Sequence, residues 1–95
     1  MNTDFLNFKT PYDVSMEIAK KAKAKRKYLK LTQQQLAEKS GVSLGSLKRF
    51  ERSGEISLSS LLKIALVLDS LKGFDGLFEK PEYSSIEELL NDKNR

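Results

Sequence analysis

The side chains of this chain best equipped for chemistry are hydrogen-bond donors. Lys48, Arg49 and Arg52 stand close together, and Gln33 and a run of cations precede them. A guanidinium fork fits a guanine edge or a phosphate, and an ammonium meets phosphate as a point charge. That chemistry recognises a polyanion; it breaks no bonds. The residues that break bonds are missing. The chain has no His and no Cys, which excludes nucleophile–His pairs, thiolate sites and ordinary zinc sites. Glu87 and Glu88 are adjacent and point different ways on a helix, so they form no acid/base pair. There is no glycine-rich phosphate loop. Neither an enzyme nor a cofactor or metal is expected.

The donors must be positioned by the stretch from Leu31 to Gly54, LTQQQLAEKSGVSLGSLKRFERSG. Thr32 and Gln35 have the spacing of a capping box, and Leu31 can staple onto Leu36. Gly41 supplies a left-handed stop. The pattern restarts at once: Ser43 can cap, Val42 can staple onto Leu47, and Gly54 marks the second stop. Two short capped helices with so brief a connection predict a helix-turn-helix. In the second helix Leu47 and Phe50 share an inward face. Leu44, Gly45, Lys48, Arg49 and Arg52 then fall mostly outside. Gly45 lets something approach the backbone closely. Such a helix suits a DNA major groove; the plainer reading is a solvated basic face on an ordinary bundle helix.

The segment TQQQLAEKSGVSLGSLKRFERSGEISLSSLLKIA resembles the helix-turn-helix of the Cro/cI (XRE) repressor-like family, over about Met16 to Phe78. GVSLGSLKRFERSGEISLSSLL is similar to the HipB-like antitoxins, which pair with HipA-type kinase toxins. The resemblance implies an all-α, five-helix lambda-repressor-like DNA-binding domain with a short C-terminal tail. It implies base contacts from Ser43, Leu44, Gly45, Ser46, Lys48 and Arg49. Phosphate contacts would fall to Arg26, Lys27, Thr32, Gln33 and Arg52. Arg26 and Lys27 match a pair that often precedes the motif, although their place near a helix C-terminus also suits a structural role. Leu44 and Gly45 depart from readers that place amides there, which shifts discrimination onto Ser46, Lys48, Arg49 and DNA shape.

Around this motif, 95 residues make one domain with a modest core. Residues 1–10 read as an arm, 11–79 as the helix-turn-helix domain and 80–95 as a tail. Thr10-Pro11 starts a first helix to about Leu29, with Val14, Ile18 and Ala22 as its apolar stripe. Ile56 and Ser57 repeat the staple and cap for a fourth helix to about Leu68. That helix is apolar nearly all round, which implies burial on more than one side. Phe74 to Phe78 reads as a short fifth helix. Leu36, Ala37, Leu47, Phe50, Ile18, Leu61, Leu62 and Ala65 are the expected core.

Charge divides the chain. Residues 1–68 carry 13 Lys/Arg against 6 Asp/Glu, and residues 69–95 carry 4 against 7. A basic body predicts a double-stranded DNA operator as partner. The acidic tail points to a protein instead. Ile64, Val67, Phe74, Leu77, Phe78, Tyr83, Ile86 and Leu89 are the expected interface for a homodimer or a HipA-like kinase toxin. The expected activity is repression, in a toxin–antitoxin operon or as an autonomous repressor. A protein-interaction module using the motif as scaffold is the alternative from another class, and RNA binding lacks a visible stacking platform. No apolar run approaches a membrane span and no signal-peptide layout is present, so a cytoplasmic location is expected.

Overall fold

Each helix begins at a hydroxyl residue that the sequence marks as a cap. In the computed structural model, which describes residues 8–80, helix α1 (Pro11–Tyr28) follows Thr10. The Thr10 hydroxyl accepts from the Asp13 N–H, and the Asp13 carboxylate accepts from the Thr10 N–H. Helix α2 (Gln33–Ser40) repeats this exchange between Thr32 and Gln35. Ser43 and Ser57 cap helices α3 (Leu44–Ser53) and α4 (Leu58–Val67) by accepting from the Ser46 and Ser60 N–H groups. Each such cap satisfies a donor that the helix itself leaves open, and is worth about 1 kcal/mol.

The helix ends are of two kinds. Gly41 and Gly54 stop α2 and α3 in the left-handed conformation, at φ 75° and 76°. Gly54 is also pressed against α1: a Cβ there would stand 2.9 Å from the Ser15 carbonyl carbon. Helices α1 and α4 stop without glycine. Lys30 and Asp69 take positive φ, and the next residues, Leu31 and Ser70, donate back to the Arg26 and Ala65 carbonyls. This is the six-to-one bond of a Schellman ending, made at some backbone cost by non-glycine residues.

Helix α1 packs on α3, α2 on both α3 and α4, and α4 on a final 3₁₀ turn, Leu71–Phe74. The core between them is Ala19, Leu36, Ala37, Val42, Leu47, Phe50, Ile64, Ala65 and Leu68. The described residues form four α-helices and no strand, so the all-α reading stands and the five-helix count is corrected. Gly73 and Gly76 explain the difference. Two poor helix formers in so short a run leave a 3₁₀ turn followed by hydrogen-bonded turns instead of an α-helix. Four apolar expectations also shift. Ile18, Leu61 and Leu62 are half-buried, with Ile18 and Leu61 packed on the core's edge, and Val14 is exposed. The inward line of α1 runs through Ala19 instead. Ile64, expected at an interface between chains, is 1% exposed and belongs to this chain's own core. Tyr83, Ile86, Leu89 and most of the N-terminal arm lie outside the described residues. Among the described residues no helix is long and apolar enough to cross a membrane.

Candidate nucleic-acid interface

Helix α3 sorts its side chains into two faces. Leu47 and Phe50 are buried, and Leu44 is half-buried against the same core. Gly45, Lys48, Arg49 and Arg52 follow the i, i+3, i+4, i+7 spacing of one helical face and are all exposed. Ser43 and Ser46 are exposed at the helix start, with the Ser43 hydroxyl donating to Ser46 Oγ at 2.8 Å. Space beyond Gly45 is open: nothing lies within 4 Å of where its Cβ would be. Five of the six expected base readers therefore face outwards together. Leu44 is the exception, because it helps to close the core.

The expected phosphate residues divide differently. Lys27, Thr32 and Arg52 are exposed. Gln33 is half-buried, and its amide donates to Glu51 Oε1 at 2.9 Å. That bond uses one of the amide's two N–H donors and leaves the other. Arg26 turns inwards, and its expectation as an outward cation is corrected. Its Nε and Nη2 donate to the two Glu51 carboxylate oxygens at 2.8 and 3.1 Å, and its Nη1 donates to the Leu31 carbonyl at 2.8 Å. The side chains of Arg26 and Glu51 are only 9% and 4% exposed. Burial alone would raise the Glu51 carboxyl. Hydrogen bonds from Arg26 and Gln33, with the charges of Arg26 and Lys23, outweigh that and hold it below the ordinary glutamate value. The hub joins α1, the turn before α2, the first turn of α2, and α3, so it fixes the start of α2 relative to the reading helix.

Two acidic residues were not recognised as part of this region. Glu51 follows Phe50 directly, and its inward register is set by the core phase of α3. Glu55 follows Gly54, and its Oε2 accepts from Arg49 Nη2 at 3.0 Å. This second pair is open to solvent, at 61% and 63% exposure. It edges a cleft of 320 Å³ between α3 and α4, lined by Ser46, Arg49, Glu55, Ile56, Ser57 and Ser60. An acid next to the left-handed stop of a cationic helix was the available signal for it.

The surface thus offers a helix N-terminus with open N–H groups at α2, and beside it an outward row of small and cationic residues on α3. Together these can hold a phosphate backbone and present donors to base edges. A helix-turn-helix family model matches residues 23–72, just over half of the chain. No curated protein and no solved structure matches it. The matched span starts inside α1 and closes at the 3₁₀ turn, so it takes in the whole motif and the helix that braces it. The chain belongs to the helix-turn-helix family, as a DNA-binding transcription regulator of the Cro/cI type.

Proposed function

We propose that the protein is a sequence-specific repressor that binds a double-stranded operator as a two-fold dimer, with α3 in the major groove. The observation that carries this reading is the outward row Gly45, Lys48, Arg49 and Arg52, none of which the core uses. In this reading Ser43, Ser46, Lys48 and Arg49 reach base edges and the backbone at Gly45 approaches closely. Lys27, Thr32, Gln33 and Arg52 hold phosphates. A lone module buries little surface for tight specific binding. Leu66, Leu77 and Phe78 are exposed apolar side chains at and beyond α4. With Val67 and Phe74 beside them they supply a surface for the second copy, which would set the reading helices about 34 Å apart. DNA retention across a salt series tests the first part, with affinity expected to fall steeply as salt rises. Sedimentation at tens of micromolar tests the second. A monomer both with and without DNA would reject the dimer.

A more specific role as a HipB-like antitoxin rests on the likeness of SLGSLKRFERSGEISLSSLL and on the acidic balance of residues 69–95. DNA repels that acidic segment, which favours a protein partner for it. In this role the HipA-like kinase is captured by a surface that includes Tyr83, Ile86 and Leu89. Truncation after Lys80 should then abolish partner binding and spare DNA binding. Purification from the native operon that brings down no second protein would leave the autonomous repressor.

A further inference from the structure

Glu55 sits where a DNA-facing surface has least use for a carboxylate. It is nevertheless held there by several independent contacts. The Gly54 N–H donates to the Phe50 carbonyl at 2.8 Å, and Gly54 packs against Ser15 of α1. The Ser53 hydroxyl donates to the Arg49 carbonyl at 2.7 Å and accepts from the Glu55 N–H at 3.3 Å. The segment from Ser53 to Glu55 is thereby tied to the end of α3, and the Glu55 carboxylate stays within reach of Arg49.

We infer that Glu55 is a specificity-determining residue: it withholds the Arg49 charge from phosphates while leaving the guanidinium free to read guanine. The inference rests on the DNA-binding reading above. A phosphate contact draws its strength from net positive charge and the counterions it releases. The Arg49–Glu55 pair has no net charge, so Arg49 gains little on random DNA unless it leaves Glu55. A guanine contact depends on geometry instead. It takes two parallel N–H donors to O6 and N7. Glu55 engages Arg49 through Nη2 alone, and a guanidinium has five N–H groups. The remaining donors can therefore meet guanine while the pair stays intact, with its plane already restrained. A carboxylate in this place lowers affinity for the backbone more than affinity for the correct base. Lys48 and Arg52, exposed on the same face, form no ion pair among the described residues and keep the general attraction to DNA.

The test uses the full chain and two probes: a random-sequence duplex pool, and the duplex enriched from that pool by repeated retention on the unaltered protein. Glu55→Gln keeps the side-chain shape and removes the charge. It should tighten binding to the random pool about threefold to fivefold, the scale of an exposed ion pair. It should tighten the enriched duplex clearly less, so the ratio of the two affinities falls. The slope of log affinity against log salt on the random pool should steepen by about 0.9, as for one added phosphate contact. In an Arg49→Ala background the same change should lose its effect on the ratio. Equal tightening on both probes, or an undiminished effect without Arg49, would reduce Glu55 to a general repulsion and overturn the inference. If the unaltered protein retains neither probe, the DNA-binding reading itself fails and this inference goes with it. If it binds with an unchanged ratio in Glu55→Gln, only the inference fails.

Discussion

Helix α3 takes part in two arginine–glutamate pairs, and they have opposite consequences. Arg26 and Glu51 meet between α1 and α3 with side chains 9% and 4% exposed. Arg49 and Glu55 meet at the far end of α3 with side chains 61% and 63% exposed. The residue types are the same and the shortest distances are close, 2.8 and 3.0 Å. The surroundings differ. In the first pair both carboxylate oxygens are occupied, Gln33 adds a third bond, and the remaining guanidinium arm meets a backbone carbonyl. The second pair is held by a single bond. Complete satisfaction and burial make one arginine part of the fold; solvent and a spare set of donors make the other available to a ligand. A cation count over the basic body cannot separate these two fates.

The largest effects should come from breaking the buried pair one side at a time. Glu51→Ala leaves the Arg26 guanidinium enclosed without its partner and should cost roughly 3–5 kcal/mol in denaturant unfolding. That matches the roughly 3–5 kcal/mol expected for Phe50→Ala, the largest wholly apolar deletion in this core. Replacing both charges together, as Arg26→Met with Glu51→Leu, should recover most of the loss, because no buried charge remains. If the double variant is as unstable as Glu51→Ala, the pair does more than neutralise itself. Acid supplies a milder break. The Glu51 pKa is lower in the folded chain, so its contribution is complete above the ordinary glutamate value near 4.5 and is lost as pH falls through the folded value. Stability of the natural chain should therefore decline below pH 4.5, and Glu51→Gln should remove part of that decline. An identical acid profile in the two proteins would mean that Glu51 is not the group responsible.

The difference between the pairs was only half legible in the sequence. Caps depend on a few adjacent residues, so Thr10, Thr32, Ser43 and Ser57, with the stops at Gly41 and Gly54, were readable from local pattern. The outward row on α3 followed once Leu47 and Phe50 were assigned inwards. Arg26 depends on a carboxylate 25 residues away, and no local rule selects it over Lys27. A signal did exist. Arg26 lies seven positions after Ala19, on the inward line of α1, but the Val14–Ile18–Ala22 stripe set the helix phase slightly off that line. The expected fifth helix failed for a related reason: hydrophobicity at Phe74, Leu77 and Phe78 outweighed two glycines in the reading, while in the structure the glycines prevail. The φ of 63° at Phe78 marks how far that segment departs from a helix.

On the exposed side, the sharper measurement is of DNA and not of folding. Arg49→Ala should cost about 1–3 kcal/mol on the enriched duplex, the scale of one bidentate base contact, and much less on random DNA. Gln33→Ala should weaken both more evenly, since its spare donor faces a phosphate in the proposed complex. Equal losses on both probes for Arg49→Ala would move it to the phosphate group, and α3 would then read through Lys48, Ser46 and DNA shape.

The smallest expected effect is the one that holds the comparison together. Without DNA, Arg49→Ala should change unfolding stability by less than about 1 kcal/mol, and added salt should shrink even that, because an exposed pair gains little in water. The Ser53 hydroxyl bonds the Arg49 backbone carbonyl and not its side chain, so the α3 ending survives the substitution. Glu55→Gln should be equally mild, since its N–H bond to Ser53 is also made by backbone. A loss of several kcal/mol for either variant would mean that the outer pair, like the inner one, braces the fold. Burial would then no longer distinguish them, and a weakened DNA complex in Arg49→Ala would report unfolding and not a lost base contact.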